Sequence, residues 1–107
     1  MQTGNFVLAG EAMALFIAQE EAPLEEVNLW SSGIAGAELN VAIGLARLGH
    51  RVSYLTALGD DTFGRKIRAF LTANHISDEL AFCDPKRMTG FMLKGKTSRG
   101  DPPIQYF

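Results

Sequence analysis

The sequence predicts an α/β fold in which an open sheet with flanking helices carries a second, smaller β sheet. Three observations lead there. Strand-length apolar runs alternate with helical periodicity in the order strand, apolar helix, strand, amphipathic helix, the order of β-α-β units around parallel strands. Four further strand-like segments have one polar face, which doubly covered core strands lack. A hydrophobic share of 47% with 21% charged residues and four prolines is too apolar for a disordered chain, and 107 residues suffice for one modest core.

Residues 5–10, Asn-Phe-Val-Leu-Ala-Gly, are an apolar run stopped by glycine, expected as the first central strand and buried on both faces. Strands with one wet face follow near 13–18 and 25–30, the second carried by Val27-Asn28-Leu29-Trp30, with the acidic break Gln19-Glu20-Glu21-Ala22-Pro23 between them. Residues 31–36, Ser-Ser-Gly-Ile-Ala-Gly, read as a loop. The helix expected over 37–48 is apolar nearly all round through Ala37, Val41, Ile43, Leu45 and Leu48, which predicts burial between two layers, and Gly49 is placed as its left-handed cap.

A second core strand spans 52–58, and Gly59-Asp60-Asp61-Thr62 supplies a turn in which Asp60 or Asp61 caps the next helix. In that helix Phe63, Ile67, Phe70 and Leu71 share one face and Arg65, Lys66 and Arg68 the other, and it ends near Asn74. Strands are expected over 80–83 and near 88–94 and 103–107, the last two joined by a mobile hairpin loop over 95–103, rich in Gly, Ser, Asp and Pro. The chain stops inside a strand and leaves a sheet edge uncovered, so it is expected to be the N-terminal part of a larger fold.

Composition narrows the function. Ten Lys and Arg against twelve Asp and Glu give a net charge of −2 with no basic block, which excludes a phosphate-backbone binder, so nucleic acid is not an expected partner. The single Cys83 forms neither an internal disulfide nor a zinc site; it is expected as a small buried hydrophobe in a reducing cytoplasm. No apolar stretch approaches the ~20 residues of a membrane span, and the N-terminus lacks the positive start of a secretory signal, so the expected location is cytoplasmic with no membrane partner. His50 and His75 follow helix ends, where an imidazole faces solvent or a last-turn carbonyl. Gly33-Ile34-Ala35-Gly36 lacks the spacing of a dinucleotide fingerprint.

The chemistry concentrates in Gly36-Ala37-Glu38-Leu39-Asn40. A helix N-terminus offers unpaired N–H groups and partial positive charge to an anionic or hydroxyl-rich ligand. Gly36 lets that ligand approach the backbone, and Asn40 can both donate to and accept from a sugar hydroxyl. Each residue also has a plain structural reading, with Gly36 serving the turn, Glu38 the helix dipole and Asn40 the backbone, and the residues alone leave both readings open.

The run Gly36-Ala37-Glu38-Leu39-Asn40-Val41-Ala42-Ile43-Gly44-Leu45-Ala46-Arg47-Leu48-Gly49, followed by Gly59 and Asp61-Thr62-Phe63-Gly64, resembles the first signature of the ribokinase-like, or phosphofructokinase-B, carbohydrate kinases, with Ala35 where the pattern usually has a first glycine. The Gly-Ala-Glu-Leu-Asn form, Gly10-Glu11, and Thr89-Gly90 ahead of a hairpin are most similar to the 2-keto-3-deoxygluconate kinases within it. The resemblance implies that residues 1–107 are the N-terminal portion of one ribokinase-like kinase domain, with the four half-polar strands forming a β lid over the sugar. It also implies substrate contacts from Gly36, Ala37, Glu38 and Asn40 and from two positions that fall on Met92 and Tyr106, the first departing from the usual tyrosine.

By the same resemblance the complete kinase uses ATP and Mg²⁺ to phosphorylate a hydroxyl of a small sugar acid, most simply 2-keto-3-deoxygluconate. A fructokinase or another sugar kinase is the alternative within the family. The Gly-Ala-Gly-Asp segment that carries the catalytic base does not occur here, so the base is expected beyond Phe107, this segment alone is expected to bind neither nucleotide nor metal, and its isolated turnover is expected to be negligible. Lids in the family often pair between subunits, which would place Trp30 in a homo-oligomer contact. A non-catalytic sugar-binding or dimerisation fragment is the alternative of a different class.

Overall fold

A computed structural model describes residues 4–107, so the reading of the extreme N-terminus at residues 1–3 lies outside it. The elements are β1 (Asn5–Ala9), β2 (Met13–Ala18), a 3₁₀ turn (Leu24–Glu26), β3 (Trp30–Ala35), α1 (Ala37–Arg47), β4 (Arg51–Leu58), α2 (Thr62–Ala73), β5 (Ala81–Cys83), β6 (Phe91–Lys94) and β7 (Ile104–Tyr106). They form a mixed α/β fold with two sheets: a parallel one in the order β1-β4-β5, and a second in the order β3-β2-β6-β7, where β2 and β6 are parallel and the outer pairs antiparallel.

Strand β4 decides where the core sits. Val52, Tyr54, Thr56 and Leu58 are buried while Arg51, Leu55 and Ala57 are exposed, a period of two that points one face inward. Both helices cover that face: Leu39 and Ala42 of α1 and Ile67 and Leu71 of α2 join Val52, Tyr54 and Leu58 in a single cluster. Each fully buried leucine or isoleucine there contributes about 2 kcal/mol. On the opposite face the register sets Ala9 beside Leu55 and Ala57 beside Phe82, and Val7 and Phe82 are 61% and 56% exposed.

This one-sided covering corrects three expectations. Strand β1 lies at an edge rather than in the centre, because β4 takes the middle position, and it is not buried on both faces. Helix α1 packs on one side only; Val41 and Leu48 are 55% and 65% exposed, since the described residues place a sheet under just one of its faces. Cys83 is exposed on edge strand β5 rather than buried.

Both helices close with paired left-handed caps. After α1, Gly49 (φ 91°) donates to the Ala46 carbonyl at 3.0 Å and His50 to the Leu45 carbonyl at 3.2 Å, as expected for that glycine. After α2 the same geometry falls on His75 (φ 59°), with Ile76 donating to the Leu71 carbonyl at 2.9 Å and its side chain buried. His50 does not face solvent or a last-turn carbonyl: Nδ1 accepts from the Gly4 N–H at 2.9 Å, and the ring stands edge-on to Phe6.

The second sheet departs from expectation at its outer strand. The strand expected over 25–30 begins only at Trp30, and residues 31–35, expected as loop, are its body, paired from Met13↔Ala35 to Ala18↔Trp30. Cross-strand pairing outweighs the loop-like composition of Ser31-Ser32-Gly33. Residues 24–26 instead make the 3₁₀ turn, and Glu20 Oε1 accepts from the N–H groups of Asn28 and Leu29 at 2.6 and 2.8 Å, bonds that hold its carboxyl below the usual range. The 95–103 loop, expected to be mobile, is tied at its middle, where Ser98 donates to Glu21 Oε1 from N and Oγ at 2.9 and 3.0 Å.

Two contacts set the small sheet on the body. Phe63 of α2 packs 5.6 Å from both Phe16 of β2 and Phe91 of β6, and Phe91 stacks on Phe107 at 4.6 Å. Beneath them Asp61 caps α2 with Oδ1 on the Gly64 N–H at 2.8 Å, while Oδ2 accepts from the Thr89 N–H at 2.8 Å. The buried Thr89 hydroxyl in turn accepts from the Gly59 N–H at 2.9 Å.

Burial pushes the Asp61 carboxyl up, but the Thr89 and Gly64 N–H groups, the Thr89 hydroxyl and the Arg65 charge outweigh it and hold the group below the usual carboxylate range. A folded-state value below the unfolded one makes this contribution complete above pH ~4 and lost as pH falls through the folded value. Replacing Asp61→Asn is expected to cost about 1–2 kcal/mol at pH 7 in urea unfolding and to flatten the acid limb of the stability profile; an unchanged acid limb would contradict the assignment.

Candidate functional site

The chain crosses between the two sheets three times, at residues 10–12, at Gly36 and at residues 84–90. All three crossings meet at the carboxyl ends of β1 and β4, where open α/β sheets bind ligands. A cleft of about 410 Å³ opens there, walled by Gly10, Glu11 and Ala12 on one side and by Met88 and Gly90 on the other, with Thr56 on its floor. Arg87 and Asp84, also in its lining, form a 3.5 Å ion pair between an exposed guanidinium and a half-buried carboxylate that adds little stability.

Helix α1 starts beside this cleft in an unusual way. Gly36 has φ 153°, a conformation that side-chain-bearing residues rarely adopt, and a Cβ on it would lie 2.9 Å from the Glu11 carbonyl. Among the described residues no side chain caps α1. The contrast with α2 is direct, because Asp61 caps the start of α2 whereas the start of α1 has no side-chain cap among the described residues.

Around that start the structure gathers groups that sequence spacing alone does not join. A Cβ on Gly10 would lie 2.7 Å from Glu38 Oε2 and 2.8 Å from the Tyr54 hydroxyl, so a carboxylate and a phenol converge on one point that only glycine leaves open. Tyr54 is fully buried, and its hydroxyl has no hydrogen-bond partner among the described residues. Burial, then the charge of Glu38, pushes the phenol up, so Tyr54 is protonated and a donor at neutral pH.

The six residues expected at the site fall into two groups. Gly36 and Glu38 stand at the crossing just described, with Ala37 and Asn40 exposed on the first turn and a half of α1. Met92 and Tyr106 face each other across β6 and β7, in one row with Leu15 of β2 and Gly33 of β3. Met92 is buried and Tyr106 61% exposed. None of the six lines the 410 Å³ cleft itself, whose walls come from Glu11, Thr56 and the 84–90 crossing. Of those wall residues Gly10-Glu11, Gly59 and Gly90 carry a sequence signal, whereas Thr56, like Tyr54 beside the cleft, reads simply as part of a core strand.

Comparison with known proteins agrees with this architecture. The chain is 40% identical over 102 residues to a 2-dehydro-3-deoxygluconokinase of Bacillus subtilis, covering 94% of this chain and 32% of that protein. The crystal structure of a PfkB protein from Polaromonas sp. JS666, 42% identical, matches 97% of this chain and 34% of its own length with a TM-score of 0.88. An uncharacterized sugar kinase, PH1459 of Pyrococcus horikoshii, solved in complex with ATP, is 27% identical and matches 99% of this chain and 34% of its own with a TM-score of 0.85. The chain thus spans about a third of the length of these relatives. The sequence pattern of the pfkB family carbohydrate kinases matches residues 4–101, and the chain belongs to that family.

Proposed function

We propose that the complete protein transfers a phosphoryl group from ATP to a hydroxyl of a small sugar acid, 2-keto-3-deoxygluconate foremost, and that residues 1–107 form the sugar-binding side of its active site. The observation that carries the reading is the uncapped start of α1, opened by Gly36 and set beside an unfilled cleft. The 40% identity to a 2-dehydro-3-deoxygluconokinase supports the choice of sugar. Fructokinase is the rival within the family, and a substrate panel separates the two.

In this reading the free N–H groups of Ala37 and Glu38, with the positive end of the helix, draw the acid group or hydroxyls of the sugar. Glu38 accepts from a hydroxyl, Asn40 both donates and accepts, and Met92 and Tyr106 in the overlying sheet cover the sugar and exclude water. Among the described residues no three His, Cys, Asp or Glu side chains gather as a metal site would. In this reading the complete protein uses ATP and Mg²⁺, which its membership of the pfkB family carbohydrate kinases supports. When bound they supply the phosphoryl group and neutralise its charge, and the residues here orient the acceptor.

Assayed with ATP, the complete protein is expected to show at least tenfold higher kcat/KM for 2-keto-3-deoxygluconate than for fructose, and the isolated 107 residues no phosphorylation above background. A preference for fructose, or turnover by the isolated chain, would count against the reading. Because Asn40 is exposed, Asn40→Ala is expected to leave the unfolding midpoint unchanged and raise the KM for the sugar about tenfold, the loss of one or two hydrogen bonds. Pairing of two small sheets along β3 belongs to the same reading; Trp30→Glu is expected to lower the sedimentation coefficient toward that of a monomer, and an unchanged value would refute that contact.

A further inference from the structure

The buried hydroxyl of Tyr54 serves no bond within the described residues, yet it points at the one place where Glu38 also points. Tyr54 is otherwise a packing residue, with Leu39, Val52 and Leu58 around it, and phenylalanine would fill that volume equally. A buried donor without an acceptor is costly to the fold, so a hydroxyl retained there calls for a partner. The nearest acceptor to that point among the described residues is the Glu38 carboxylate, whose residue is exposed.

We propose that Tyr54 is a positioning residue for Glu38: its hydroxyl donates to the Glu38 carboxylate across the space left open by Gly10, fixing the carboxylate at the start of α1 so that its second oxygen accepts from a substrate hydroxyl. This deepens the functional reading above and rests on it. The pair also explains how a carboxylate can stand at a sugar-acid site. One of its oxygens is spent on a phenol, the helix start offsets its charge, and the oxygen that remains selects a donor, which is a hydroxyl and not an acid group. Gly10 is part of the device because a methyl group there would stand between the two side chains.

The test uses the complete protein with 2-keto-3-deoxygluconate and fructose as the probes, in steady-state assays and thermal unfolding of wild type, Tyr54→Phe, Glu38→Gln and the double variant. Tyr54→Phe is expected to move the unfolding midpoint little, since the ring fills the same volume in the core, while raising KM for the preferred sugar about tenfold with kcat within about twofold. In the double variant the two KM effects are expected not to multiply, because both residues act through one carboxylate. Turnover of a sugar with an unchanged KM in Tyr54→Phe, or fully multiplicative effects in the double variant, would overturn the positioning role alone. Failure of the wild-type protein to phosphorylate either sugar would overturn the functional reading together with it. Gly10→Ala supplies a second, independent perturbation, expected to raise KM with the phenol intact, and an unchanged KM there also counts against the proposal.

Discussion

One carboxylate holds the two sheets in their relation. Asp61 spends one oxygen on the start of α2 and the other on the N–H of Thr89, and the Thr89 hydroxyl accepts from the Gly59 N–H. The end of the central strand, the start of the second helix and the segment leading into β6 are thereby tied at a single point. Without that tie the phenylalanines of β2, β6 and α2 would still attract one another, but dispersion and area burial carry little direction. The hydrogen bonds supply the direction, and the small sheet comes to rest over the carboxyl ends of the parallel strands rather than elsewhere on the body.

The two helix starts show how alike local sequences are put to opposite uses. Both follow a strand and a glycine-containing turn. At α2 an aspartate caps the Gly64 N–H and spends its other oxygen on Thr89. At α1 the corresponding place is a glycine in a conformation closed to other residues, with no cap, next to a cleft. One start is thus capped by a side chain and the other is not, and the uncapped one lies beside the cleft.

Much of this was legible in the sequence. The parallel strands, both helices, the Gly49 cap and the Asp61 cap follow from local periodicity and capping chemistry, which act over a few residues. What was not legible depends on distant partners. Residues 31–35 look like loop until β2 supplies them a register, and Val27 looks like a strand residue until Glu20 bends the backbone beside it. Helix α1 reads as enclosed because it is apolar nearly all round, but periodicity cannot say how many layers a chain brings to it. At the site, Gly36 and Glu38 stood out as a helix start, whereas Tyr54 was hidden among alternating core positions, and only its coordinates show an unspent hydroxyl.

The three crossings carry a mechanical consequence. Glu11 touches both of the others: its carbonyl lies against Gly36, and its carboxylate against Gly90. The strips of backbone that join the sheets are thus also the surfaces a guest would press upon. Any rocking of the upper sheet must be absorbed by torsions in these same few residues, so its angle and the shape of the cavity form one degree of freedom. A change in that angle would therefore also reshape the cavity that Glu11 walls.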